Sequence, residues 1–309
     1  MIDNKYKILS APLQGITDNA FRMLFDRYYG SVDEYVTPFV REEHGEIRKK
    51  DINDLRSNEL PNLVPQILPS GAEELERLTT VVAEYGFKRI DINLGCSFPP
   101  VAAHGRGCVL FNMPDKLREI LAAIGNRADV TYSVKMRLGY ADSRQWRDVI
   151  DAINDAPLSR ICVHARYGRQ QYKGECDLTE FGEFLNACKH KVIYNGDLRS
   201  EDDVNRIVAQ FPNIEGVMLG RGLISDMNLA RKLRGITIAD KQIFANFHNE
   251  LANTYKSTLC GDRPFLLRMK AYWEFWETEE QHKAVKKIKK ASSIAKYDAA
   301  VLEYLSQLS

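Results

Sequence analysis

Eight short segments of this 309-residue chain are β-branched or apolar and are stopped by glycine, proline or a polar cluster, with amphipathic helical stripes between them. They are YKILSAPL from Tyr6, EYVTPFV from Glu34, LVPQIL from Leu63, RIDINLG from Arg89, TYSVKMRLG from Thr131, RICVHAR from Arg160, KVIYNGD from Lys191 and GVMLGRG from Gly216. After the first, Phe21, Leu24, Phe25 and Tyr28 form one apolar face that Gly30 closes. After the third, Ser70 and Glu73 have capping-box spacing ahead of Leu75, Leu78 and Val82. After the seventh, Val204, Ile207, Val208 and Phe211 repeat the stripe and Pro212 stops it. Eight strand–helix units in about 235 residues have the size of a closed (β/α)8 TIM barrel. A doubly wound open sheet would more often carry a glycine-rich dinucleotide turn after its first strand, and that turn is absent.

Beyond Gly235 the pattern contains no further strand, and helical stripes begin at Ile243, at Pro264, near Thr278 and at Ser292. The expected organisation is a barrel over residues 1–240 and a smaller all-helical domain over 241–309. Charge divides at the same place: residues 241–309 hold 11 Lys or Arg against 8 Asp or Glu, leaving 32 against 34 for the rest. The densest run, KAVKKIKK, sets Lys283 with Lys287 and Lys286 with Lys290 at helical spacing, a solvated face unless a polyanion covers it. The six cysteines form no CxxC pair, which fits reduced thiols better than disulfides or a metal site. Neither a basic-then-apolar leader nor a bilayer-length apolar run occurs, so the expectation is a cytoplasmic protein without a membrane or metal partner.

A barrel of this kind carries its chemistry where strands end. Those ends hold Pro12 and Gln14, Arg41, Gln66, Asn93 with Cys96, Lys135 with Arg137, His164 with Arg166, Asn195 with Asp197, and Gly220 with Arg221. Cys96, beyond the Gly95 turn, is placed to act as an acid or a nucleophile, or to be buried as a spectator. Strand alternation sends Lys135 and Arg137 away from Val134 and Met136, and an inward ammonium needs an anionic or strongly accepting partner, a ligand or Asp91. Gly196, Gly220, Arg221 and Gly222 fall in the last two strand-end loops, the recurrent phosphate site of the fold. Gly105 and Gly107 flank Arg106 in what is either a hinged lid or a plain turn. Cys108, Cys162 and Cys188 read as packing residues.

Together these motifs resemble the tRNA-dihydrouridine synthases: APLQGITDNAFR at Ala11, TPFVRE at Thr37, PQIL at Pro65, DINLGC at Asp91, SVKMRLG at Ser133, VHARYGRQQYKG at Val163, YNGDLRS at Tyr194 and MLGRG at Met218. The resemblance is nearest to the bacterial subgroup acting on position 16 of the D-loop. It implies FMN-dependent reduction of a tRNA uridine with NADPH as reductant and Cys96 as proton donor. Carried over position by position, Pro12, Leu13 and Gln14 line the flavin, Gln66 bonds its ring and Lys135 sits near its anionic edge. His164, Asn195, Gly196, Asp197, Gly220 and Arg221 hold its ribityl phosphate. Asn93, Arg137, Arg166 and Arg41 are implied to face uracil or nearby RNA, and Arg268, Lys270, Lys286 and Lys290 to contact tRNA phosphates. Two positions depart from the family pattern, Ser97 in place of the proline after the cysteine and Leu13 in place of methionine. Trp273 and Trp276 are expected in the helical core, and a monomer is expected. An FMN barrel reducing a small pyrimidine and a non-catalytic tRNA-binding factor are the other readings of these motifs.

Overall fold

A computed structural model describes residues 6–56, 60–277 and 281–307; the helical stripe anticipated near Thr278 falls partly outside them. Eight parallel strands form the barrel: β1 (Lys7–Ser10), β2 (Glu34–Val36), β3 (Leu63–Val64 and Gln66–Ile67), β4 (Arg89–Leu94), β5 (Thr131–Gly139), β6 (Leu158–Tyr167), β7 (Val192–Asn195) and β8 (Gly216–Leu219). Pro65 has no N–H to give to a ladder and breaks β3 in two. The first half pairs with β2 and the second with β4, so β3 stands at both ends of the pairing order and closes the ring. Between β2 and β3 lies a short antiparallel hairpin, Glu42–Glu43 with Glu46–Ile47, that the apolar patterning does not reveal. Its turn residues His44 and Gly45 have φ of 54° and 80°, the paired positive values a two-residue hairpin turn needs.

Two local expectations are corrected. The N-cap of helix Ala72–Glu84 is Gly71, and it is Glu74 rather than Glu73 that accepts from the Ser70 amide, at 2.7 Å. Arg106 is no free lid: it donates to Glu42 O at 2.9 Å and pairs with Glu74, which pins its loop to the hairpin and to that helix.

Strand alternation sorts the interior. Leu9, Ala11, Val36, Val64, Cys162, Ile193 and Met218 form a separate apolar cluster. Gln66, Asp91, Asn93, Ser133, Arg137 and His164 are also buried, so β3 to β6 bring a group of polar side chains into the barrel. At the strand starts, Arg160 and Glu34 form a buried bidentate pair with both bonds at 2.6 Å.

The chain after Asp240, which caps helix Lys241–Thr258, continues through helices Asp262–Tyr272, His282–Lys290 and Ile294–Ser306. They pack on helix Asn19–Tyr28: Phe21 stacks on Tyr272 at 5.5 Å and meets Phe247 edge-on at 5.7 Å. Tyr272 donates to Ile16 O at 2.7 Å and Tyr255 to Asp18 at 2.8 Å. Trp273 and Trp276 are buried, the latter donating to Ile224 O at 3.1 Å. One apolar cluster runs from the barrel helices into this region. Among the described residues no helix is long and apolar enough to cross a membrane.

Candidate active site at the barrel mouth

The turn after β4 is held from two directions. Asn93 Oδ1 accepts from the Gly95 and Cys96 amides at 3.0 and 2.8 Å. On the other side Cys96 O accepts from the Cys108 amide at 3.0 Å and from Cys108 Sγ at 3.1 Å. Gly107 has φ of 68°, and a Cβ there would lie 2.4 Å from Cys96 O. Past Ser97, Pro99 and Pro100 open a short helix, Pro99–Ala102, where a missing N–H costs nothing. The prolines displaced from the position after the cysteine therefore terminate its loop. Burial pushes the Cys96 thiol up from its ordinary value, against the Phe98 amide and the charges of Arg137, Lys135 and Arg41. A half-buried thiol raised in this way is protonated at neutral pH, the state of an acid rather than of a thiolate nucleophile.

At the same, C-terminal end of the strands lies a cavity of about 70 Å³. It brings together Pro12, Leu13, Lys135, His164, Asn195, Gly196, Asp197, Gly220 and Arg221 from β1, β5, β6, β7 and β8. Burial, with Arg137, Lys135, Arg166 and Arg221 around it, drives His164 well below the ordinary imidazole value. The ring is neutral, and because Arg166 Nη1 can only donate, at 3.2 Å, His164 Nε2 accepts and Nδ1 carries the hydrogen. Asp197 sits in the left-handed region at φ 45° and binds Arg166 and Arg221. Burial raises its carboxyl, but the Arg166 bond and the charges of Arg166 and Arg221 outweigh that and leave it below the usual range. Gly196, at φ 138°, has no room for a side chain, since a Cβ would stand 2.5 Å from Cys176 Sγ.

The remaining expected residues are distributed differently. Arg137 donates to Gly95 O, Tyr167 O and Gln171 O, tying the Cys96 turn to the loop after β6. Both Arg166 terminal nitrogens are taken by His164, Gly174 O and Asp197, so this guanidinium braces β6 against β7. Arg41 pairs with Glu43. Gln66 is wholly buried and bonded to Asp91 and Asn93. Gln14 and Arg268 lie apart, in a second, open cleft between helices Asn19–Tyr28, Lys49–Arg56 and Lys241–Thr258. There Arg268 pairs with Asp18 at 3.0 Å. Lys270 donates to Ala291 O, whereas Lys286 and Lys290 are exposed on helix His282–Lys290.

Tyr172 is the mouth residue that strand-end reasoning passed over. More than half exposed, it lies 4.3 Å from the Arg221 guanidinium and 5.4 Å from that of Arg137. It belongs to a loop rather than a strand end, and its only signal was its place in VHARYGRQQYKG.

The cavity fits a phosphorylated flavin. Lys135 and Arg221 supply positive charge, neutral His164 and Asn195 supply polar contacts, and Pro12 and Leu13 an apolar wall. Gly220 leaves open the space over Ala11 that a Cβ would fill. Among the described residues no group of three His, Cys, Asp or Glu side chains is arranged to hold a metal.

The family model described as dihydrouridine synthase (Dus) matches residues 9–297. The tRNA-dihydrouridine(16) synthase of Neisseria meningitidis serogroup B is 30% identical over 240 residues, 74% of this chain and 72% of that protein. The tRNA-dihydrouridine synthase B of Pasteurella multocida is 24% identical over 250 residues, 81% of this chain and 75% of its own. Among solved structures, morphinone reductase in complex with tetrahydroNAD superposes with a TM-score of 0.52 at 8% identity, covering 75% of this chain and 87% of its own, a likeness of fold.

Proposed function

This chain belongs to the dihydrouridine synthase family of flavin-dependent oxidoreductases, and from that premise we propose that it reduces a D-loop uridine of tRNA to 5,6-dihydrouridine, with FMN as cofactor and NADPH as reductant. Position 16 is the proposed target, supported by the likeness to the Neisseria tRNA-dihydrouridine(16) synthase. The observation that carries the proposal is a protonated thiol, fixed at its backbone and within the field of Lys135, which lines the cation-lined cavity at the same end of the barrel.

FMN, when bound, supplies hydride to carbon 6 of the uracil and is recharged by NADPH. Cys96 gives its proton to carbon 5, so that the C5=C6 bond gains one hydride and one proton. Lys135, which lines the cavity, would lie by the anionic edge of a bound flavin, where a fixed cation stabilises charge that would otherwise accumulate. His164, Asn195, Gly196, Asp197, Gly220 and Arg221 hold the ribityl phosphate, with Arg221 exchanging its contact with Asp197 for the phosphate. Pro12 and Leu13 would border the ring with Gln66 behind it, whereas Gln14 lies in the second cleft. Asn93 and Arg137 position the base beside Cys96, with Arg166 behind them and Arg41 toward the RNA. A uridine inside a folded tRNA must leave its stack to reach the mouth. Arg268, Lys270, Lys286 and Lys290 then bind the surrounding phosphates from the helical domain, residues 241–309, against the catalytic barrel, residues 1–240. The protein works as a cytoplasmic monomer. A small-pyrimidine reductase would leave the exposed lysine face of helix His282–Lys290 without a purpose.

The purified protein is expected to be yellow and to oxidise NADPH only when unmodified tRNA is added. A colourless protein that binds tRNA, or NADPH oxidation supported equally well by free uracil, would contradict the proposal.

A further inference from the structure

Below Cys96 runs a buried polar chain to which the proposed reaction gives no collective role. Ser133 Oγ donates to Asp91 Oδ1 at 2.6 Å, and Gln66 Nε2 donates to Asp91 Oδ2 at 2.7 Å. Asn93 Nδ2 donates to Gln66 Oε1 at 2.7 Å, and Asn93 Oδ1 receives the Gly95 and Cys96 amides. The four side chains are 0 to 7% exposed and come from three adjacent strands, β3, β4 and β5.

The chain has a direction. Burial raises the Asp91 carboxyl from its ordinary value, but its Oδ2 accepts from Gln66 Nε2, which turns the Gln66 NH2 inward and leaves Oε1 for Asn93. Asn93 must then answer with Nδ2, which leaves Oδ1 for the two backbone N–H groups. Those groups, which can only donate, demand the same orientation from the other end. Reversing either amide sets donor against donor in a site closed to water and leaves buried polar groups unpaired. Only one of the two Asn93 Nδ2 hydrogens is consumed, so the second is left for a bound group.

We propose that Asp91 is a positioning residue: through Gln66 and Asn93 it fixes the amide orientation that anchors the Cys96 turn on the side opposite Cys108. This rests on the reading of Cys96 as proton donor. Arg160 and Lys135 are the charged groups facing Asp91, and Arg137, Lys135 and Arg41 those facing Cys96.

The test compares Asp91→Asn with Asp91→Leu in the flavin-loaded protein. Two readouts are taken: alkylation of Cys96 by iodoacetamide, resolved by mass spectrometry, and steady-state dihydrouridine formation. Asparagine can still accept from Gln66 while its NH2 donates to Ser133 Oγ, so Asp91→Asn should retain both properties. Asp91→Leu removes the acceptor. It should make Cys96 about tenfold faster to alkylate and lower kcat about 10- to 100-fold, with KM for tRNA little changed. Native Cys96 reactivity in Asp91→Leu, or equal damage from Asp91→Asn, would overturn the inference. If Asp91→Leu does not fold, Gln66→Met breaks the next link, and native Cys96 reactivity there would overturn it equally. An alkylation contrast in a protein whose native form makes no dihydrouridine would uphold the positioning role and remove the proposed reaction instead.

Discussion

Cys96 is constrained through its backbone more than through its sulfur. Asn93 holds its amide and Cys108 its carbonyl, and the thiol stays protonated because burial outweighs the three cations near it. Cys96→Ala removes the proton donor and leaves the cavity lining untouched. FMN absorbance should persist while dihydrouridine formation falls about 10²- to 10⁴-fold, and full activity would remove the assigned role. Gly107→Ala probes the same turn differently, since the new methyl would stand 2.4 Å from Cys96 O at a φ of 68°. A stability loss of about 1–3 kcal/mol in urea unfolding is expected, together with reduced turnover. The inward direction of Lys135 was legible from alternation in SVKMRLG, because Val134 and Met136 had to face the helices. The occupation of Arg166 was not: its partners Asp197 and Gly174 lie on separate loops, and Asp197 reaches it only through a left-handed backbone that no local pattern announces.

Among the elements, helix His282–Lys290 carries the clearest division of labour. Ala284, Val285 and Ile288 are buried against the other helices, while Lys283, Lys286, Lys287 and Lys290 are exposed. Lys287 pairs with Glu303, so its reversal would disturb packing as well as charge. Lys286→Glu with Lys290→Glu isolates the charge. The double variant should weaken tRNA binding and lower the slope of log affinity against log salt by about 2, and an unchanged slope would return these lysines to a merely solvated face. The strands and their order of chemistry could be read in advance because each is a short apolar run ending in polar or glycine residues. Closure was legible from the number of units, but the way the ring closes was not, since it depends on Pro65 splitting one strand between two neighbours. The hairpin at residues 42–47 escaped for a related reason: each strand has two residues, too few to show alternation.

For the molecule as a whole, the helical region is joined to the barrel by aromatic packing and contains a buried histidine that links stability to pH. Trp273 Nε1 donates to Tyr297 Oη at 2.8 Å, so that hydroxyl gives its own hydrogen to His248 Nε2, also at 2.8 Å. Burial lowers His248 from 6.5 to about 4, and the folded protein therefore holds it neutral. Its contribution is fully present above about pH 6.5 and is lost as pH falls toward 4, where the unfolded chain binds a proton that the folded one refuses. Stability should drop by about 1.4 kcal/mol per pH unit for this group across that window, and His248→Leu should flatten the dependence by about one proton. His164, also depressed, adds to the same slope. The family assignment makes the substrate testable in one measurement. Unmodified tRNA is incubated with the flavin-loaded protein and NADPH, and dihydrouridines are mapped by position. The account predicts one D-loop dihydrouridine, at position 16, with one NADPH consumed for each and about 10²- to 10⁴-fold slower formation by Cys96→Ala. NADPH consumption without dihydrouridine in the tRNA would contradict it.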